Sequence, residues 1–162
     1  MIQLFNTNHN TKGINVSLLI MRIGIALLMF THGIPKIAKF SETPVQFMDI
    51  LGLGATVSLC LAIFGEVVCS IFVMLGLGTR LAVIPPLITM LVAVFHVHIA
   101  DPFVKQEMGL HYILTYVVLF IMGSGRYSLD HFLFAKPKNY RLLSREGNPP
   151  THQFLTYSHS RE

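Results

Sequence analysis

Arg22 and Glu66 each stand near the middle of an apolar run long enough to cross a bilayer. A charge at that depth costs several kcal/mol unless it meets a partner or a wet cavity, so each marks a candidate site. A mutual salt bridge is the simplest answer to both desolvation costs. Such a pair either floors a functional pocket or only fixes the register of two helices. More titratable side chains gather where the runs end: His32 and Lys36, His96 and His98, Glu107 and His111. Spacing of i, i+4 puts His32 with Lys36, and Glu107 with His111, on single helix faces. His96 and His98 diverge by about 200° around a helix, so at most one faces the interior. His96, nearer the centre of its run, is the expected one.

Imidazole exchanges a proton near neutral pH, and burial brings a carboxylate towards the same range. That combination suits quinone or quinol, whose redox change moves protons at a membrane surface, and it suits a proton relay equally well. On this reading Glu66, Arg22 and His96 are the catalytic or proton-carrying groups, and His32, Lys36 and His111 line the cofactor's entrance. A structural network that turns nothing over is the competing reading. No metal site is expected, because the chain has no HExxH, HxxEH or CxxC motif. Covalent haem is excluded by the lack of CxxCH, whereas two histidines on separate helices leave non-covalent haem open as the weaker alternative to quinone.

The elements that must carry these groups are transmembrane. Of 162 residues 52% are hydrophobic and 12% charged, about half the charge of a soluble domain. Mean hydropathy is +0.60. Four spans are predicted, at about 14–34, 55–75, 81–99 and 108–122, each near the roughly 20 residues that cross a hydrocarbon core. The expected architecture is all-α: a four-helix transmembrane bundle, up-down-up-down, over residues 1–135. Residues 136–162 read as a basic and then disordered C-terminal tail.

Between the first two spans Thr43, Pro44 and Gln46 form a capping-box pattern ahead of Val45, Phe47, Met48, Ile50 and Leu51. This segment reads as a short interfacial amphipathic helix or a plain surface loop. Gly24, Ala26 and Gly65 are expected to let helices approach closely. Pro85-Pro86 is harmless in a first helical turn and kinks the span if deeper. Cys60 and Cys69, nine residues apart on one helix, are separated by about 13 Å, too far for a disulfide.

Lys12, Arg80, Arg126, Lys136, Lys138, Arg141 and Arg145 fall on the side of the termini, which the positive-inside rule makes cytoplasmic. The pI near 9.3 follows from that topology. The basic residues form no patch with interleaved aromatics, so nucleic acid is not an expected partner. Lipid is.

The order of these landmarks resembles the DoxX family of small four-helix bacterial membrane proteins, over about Val16 to Leu133. The carriers are Arg22-Ile23-Gly24, His32-Gly33 with Lys36, Gly65-Glu66, Leu75-Gly76-Leu77-Gly78-Thr79-Arg80, Met90 to His96, and Gly123-Ser124-Gly125-Arg126-Tyr127-Ser128-Leu129-Asp130. Ser124 replaces the family's usual proline, and His111 stands where members often have Glu. The resemblance implies an inner-membrane protein tied to redox systems, its DoxD relatives being subunits of a thiosulfate:quinone oxidoreductase. DoxX-type members are linked to membrane thiol-oxidoreductase assemblies. It implies partners in a membrane redox complex, with a homo-oligomer as a further option. The alternative is a non-catalytic structural or assembly subunit, or a carrier of a small molecule.

Overall fold

The structure, a computed structural model, describes residues 10–50 and 52–135. The tail expected at 136–162 lies outside the described residues. Four long helices, α1 (Thr11–Lys39), α2 (Ala55–Leu75), α3 (Thr79–Val97) and α4 (Phe103–Met122), precede a short α5 (Leu129–Phe134). There is no strand among the described residues. By length and apolarity α1, α2 and α3 can each cross a membrane. α4 is 20 residues long, but Lys105, Gln106, Glu107 and His111 make its first half polar. α1 packs on α2 and α4, and α3 packs on α2 and α4.

The polarity of this chain is inverted relative to a water-soluble fold. Arg22, Glu66, Ser70 and Thr79 are buried, while Leu28, Ile34, Leu61, Leu81, Ile88, Leu114 and Ile121 are exposed. Apolar side chains turned outward and ions turned inward are what lipid demands of a multi-pass protein.

Asn10 caps α1, its side-chain oxygen accepting from Gly13 N–H at 3.1 Å. The helix then continues through Pro35 to Lys39, five residues beyond the end expected from the sequence. Pro35 forfeits one intrahelical bond. Its neighbour Gly33 is pressed on α2: a Cβ there would lie 2.6 Å from Val67 Cγ2 and 3.0 Å from Glu66 Cβ. Gly65 makes the equivalent approach to α3, where a Cβ would meet Thr89 Oγ1 at 2.7 Å. Gly24, expected to do the same, faces open space, with nothing within 4 Å of its Cβ position. Gly33→Ala is therefore expected to cost about 1–3 kcal/mol through overpacking, read as a lower Tm in detergent, whereas Gly24→Ala leaves Tm unchanged.

That contact also sets the register. With Gly33 level with Glu66 and Val67, a residue eleven positions earlier on antiparallel α1 is level with Gly76 to Gly78, about 16 Å further along the axis. That residue is Arg22. A Cβ on Gly76 would land on the Arg22 Nη1 atom, and the positive φ of 72° at Gly76 is a second reason for glycine. The buried guanidinium donates to the Tyr127 carbonyl, with the Asp130 carboxylate as the nearby countercharge.

Asp130 ties the same end together. Its two oxygens accept from Gly78 N–H at 2.7 Å and Thr79 N–H at 3.3 Å, and its own N–H donates to the Gly76 carbonyl at 3.0 Å. Ser128 caps α5, and Arg126 N–H donates to Asn15 Oδ1 at 2.8 Å. The segment 123–130 thus clasps α1, the α2–α3 turn and the start of α3.

Two π-turns interrupt the long helices, Phe64–Val68 in α2 and Ala93–Val97 in α3. α3 also breaks at Val83, between Thr79–Ala82 and Ile84–Val92, where Pro85 and Pro86 cannot donate into the preceding turn. The described residues of the α1–α2 connection form no helix, so the expected interfacial amphipathic helix gives way there to the loop reading. Its backbone groups bond to side chains instead: Ile50 N–H to Ser58 Oγ at 3.0 Å, and Gly54 N–H to Asp49 Oδ1 at 2.8 Å.

Candidate functional site

Glu66 sits in the π-turn of α2 and is fully buried. A π-turn inserts one residue per turn and re-aims the side chains around it, which is why such turns recur at functional sites. The partner of Glu66 is Lys36, whose ammonium donates to Glu66 Oε1. The carboxylate side chain is 1% exposed and the lysine 25%. Extension of α1 beyond Pro35 is what carries Lys36 there. The two intramembrane charges therefore do not pair with each other: Glu66 meets Lys36, and Arg22 donates to the Tyr127 carbonyl, in the field of Asp130, at the opposite end of α2.

Beside the Lys36–Glu66 pair lies a cavity of about 370 Å³. Both π-turns border it, through Glu66 on one side and Ala93 and Val97 on the other. Phe47, Met48, Ile50 and Leu53 of the α1–α2 loop cover it. Its remaining walls are apolar except for Ser58, Thr89 and His98. Two of these are already engaged: Ser58 by Ile50, and Thr89 Oγ1 by the Pro85 carbonyl at 3.0 Å. The rim residues Leu53, Leu61 and Ile88 are exposed on the apolar surface, so the cavity opens sideways between α2 and α3.

His98, not His96, borders this cavity; His96 is exposed. The π-turn at Ala93–Val97 shifts the phase of the last helical turn, and His98 falls in the α3–α4 turn beyond it. There its Nδ1 is 2.7 Å from Asp101 Oδ2, while Gln106 Nε2 donates to the His98 carbonyl at 2.8 Å and Lys105 approaches Asp101 at 3.5 Å. The His98 hydrogen bond, with the Lys105 charge behind it, holds the Asp101 carboxyl below the usual carboxylate range. With Nδ1 taken by the carboxylate, Nε2 is the ring nitrogen left for a ligand. The signal for His98 was in the sequence as His-x-x-Asp across a turn. Depth along the run alone favours His96.

The other expected residues lie elsewhere. His32 is half-buried and stacks edge-on against Tyr112 with ring centroids 5.7 Å apart. His111 is exposed, and its Nδ1 lies 2.8 Å from its own helix's Glu107 carbonyl. Neither borders the cavity. Of the expected six, the structure brings together Glu66 and Lys36. Among the described residues no cluster of three His, Cys, Asp or Glu side chains is arranged to hold a metal ion. Cys60 and Cys69 are both free thiols.

Comparison with known proteins bears on these landmarks. Residues 17–99 match the DoxX family, a stretch that includes Arg22, Lys36, Glu66 and His98. The chain belongs to the DoxX family. Among its DoxX-type relatives is a Bacillus subtilis (strain 168) protein named "Putative oxidoreductase CatD", 28% identical over 129 residues, or 79% of this chain and 95% of that one. An uncharacterized protein of Haemophilus influenzae (strain Rd) is 33% identical over 125 residues, 72% of this chain and 90% of the relative. No solved structure matches this DoxX chain.

Proposed function

We propose that this DoxX protein is a four-helix, up-down-up-down subunit of a bacterial inner-membrane redox system, and that it binds a quinone in the cavity beside Glu66. The charge distribution supports cytoplasmic termini, with Lys12, Arg80 and Arg126 all at the end that holds Arg22. One observation carries the ligand assignment: an ion pair with a buried carboxylate stands at the side of a largely apolar cavity whose mouth opens onto the apolar surface. An apolar pocket with a few placed polar groups is the usual form of a small-molecule site. A lateral mouth admits a ligand with a hydrocarbon tail and keeps that tail in lipid.

A quinone exchanges two electrons and two protons with its surroundings, and the electrons would come from a partner protein. The chain's own residues supply the rest. Lys36 has two N–H groups beyond the one on Glu66, and these are free to donate to a headgroup oxygen. Glu66 is the proton-exchanging group beside it, and His98, oriented by Asp101, offers Nε2 at the mouth. The α1–α2 loop closes the polar end from water. Arg22 has a structural role in this reading.

Titration of the purified protein in nanodiscs with a short-tailed quinone analogue tests it, read as a saturable rise in Tm. Glu66→Gln and His98→Ala are expected to weaken binding at least tenfold, with His96→Ala matching the parent. An analogue that gives no saturable shift, or one that binds all variants equally, would return the chain to the alternative of an assembly subunit.

A further inference from the structure

A second cavity, of about 500 Å³, lies at the end of the molecule away from Lys36 and Glu66. It is walled by the α2–α3 turn, the first turn of α3 and the segment 122–126, with Asn15 and Asp130 closing it. Two guanidinium groups border it. Arg80 is held in place: its Nη2 donates to the Ile121 carbonyl at 3.2 Å, a C-terminal carbonyl of α4 without a partner in its own helix. Its Nε lies 3.4 Å from where a Cβ on Gly123 would stand. That single bond leaves most of the Arg80 N–H donors unused. Arg126 is anchored through its backbone, its N–H donating to Asn15 Oδ1 at 2.8 Å, and it is exposed.

Among the described residues neither arginine has a salt-bridge partner. The acid at the cavity, Asp130, is already committed to the Gly78 and Thr79 N–H groups. Thr79 adds an independent observation. It borders the cavity and is 1% exposed, yet its hydroxyl has no hydrogen-bond partner among the described residues. A buried hydroxyl in that state is costly enough to need a physical account. Two cations and an unsatisfied hydroxyl suit an anion with several acceptor oxygens and no donor, which is the chemistry of a phosphate group. The lip of the cavity is of another kind. Leu81 is 76% exposed and Met122 47%, and both border the cavity from the apolar outer surface of α3 and α4.

We propose that this cavity binds the headgroup of an anionic phospholipid, with Arg80 and Arg126 donating to the phosphate oxygens and an acyl chain lying over Leu81 and Met122. Basic pockets between transmembrane helices at a membrane surface hold lipid headgroups in this way. A free phosphate would satisfy the arginines and leave the apolar lip bare, so the lip decides between the two sources. The walls come from the start of α3 and from the segment that follows α4, and a bound lipid therefore ties these two elements together. Anything that binds only the folded chain raises its stability. The quinone reading neither supports this site nor needs it, because Glu66 and Lys36 stand at the other end.

The test is titration of the delipidated full chain in detergent with three probes: phosphatidylglycerol, phosphatidylcholine of the same acyl chains, and inorganic phosphate. Tm and native mass spectrometry are the readouts. Phosphatidylglycerol is expected to raise Tm saturably and to remain as one retained lipid per chain, while the other two probes do neither. Arg80→Gln and Arg126→Gln should each weaken its binding about fivefold, the weight of one arginine beside an anionic lipid. Lys39→Gln, which removes an exposed cation outside this cavity, should match the parent. Equal binding of the two lipids, or equal losses in all three variants, overturns the proposal. Inorganic phosphate giving the same arginine-dependent rise would assign the cavity to a free anion and overturn the lipid. If Arg80→Gln does not fold, Arg126→Gln decides it alone. No quinone is present in these titrations, so failure here leaves the quinone reading standing, and failure of quinone binding leaves this one.

Discussion

Lys36→Met is expected to destabilise the protein by about 3–5 kcal/mol, because it strands a carboxylate in the core. The two halves of the Lys36–Glu66 pair are not equivalent, and the asymmetry makes the prediction sharp. Glu66 is 1% exposed and, among the described residues, has no other cationic group within salt-bridge distance, so its charge cannot reach water. Lys36 is 25% exposed on a four-carbon stem and can swing its ammonium outward when the carboxylate is removed. Glu66→Gln should therefore cost much less than Lys36→Met. The double variant Lys36→Met/Glu66→Gln should recover most of the loss, since a buried pair replaced by neutral side chains of similar volume is often near neutral. Unfolding in detergent of the parent, both single variants and the double variant closes the cycle. A Lys36→Met variant as stable as the parent would mean that Glu66 is not ionised in the folded protein. Quinone binding should be lost in the double variant even where stability returns, which separates the pair's contribution to the fold from its contribution to the site.

The ordering of elements was legible because lipid leaves the sequence few options. Long apolar runs must be helices, and the turns at Gly76 to Thr79 and at Asp101-Pro102 carry plain breakers. The depth of the charges was not legible in the same way. Counting inward from the expected span ends put Arg22 and Glu66 at one level, but α1 runs past Pro35 to Lys39. A close contact at Gly33, invisible in the sequence, fixes the offset between α1 and α2. That offset turns one imagined ion pair into two separate sites. His98 escaped for a related reason: periodicity assumes an unbroken α-helix, and a π-turn immediately before it breaks the count. The loop over the cavity read as amphipathic because Phe47, Met48 and Ile50 do border the cavity. They do so from irregular backbone pinned by Ser58 and Asp49. In each case a tertiary contact overrode a local pattern.

Arg22→Ala is expected to cost about 3 kcal/mol or more and to leave quinone affinity unchanged in whatever fraction folds. The guanidinium fills the concavity that Gly76 leaves, donates to the Tyr127 carbonyl and balances Asp130. Its removal opens a void, orphans a carbonyl and takes a countercharge from Asp130. Arg22→Lys should not rescue, because an ammonium on a shorter stem cannot reproduce a planar group with donors on two sides. Asp130→Ala attacks the same clasp from its other end. It frees the N–H groups of Gly78 and Thr79 at the start of α3, and hydrogen bonds to a charged acceptor are worth about 1.5–3 kcal/mol each. The two losses should be less than additive, since both variants open one structure. The ligand measurement separates the roles. Arg22 lies about 16 Å along the axis from Glu66, beyond reach of the cavity, so a folded Arg22→Ala protein should bind as the parent does. An Arg22→Ala variant that kept its Tm and lost quinone binding would place the arginine back beside the ligand and undo the separation of the two charges on which the site rests.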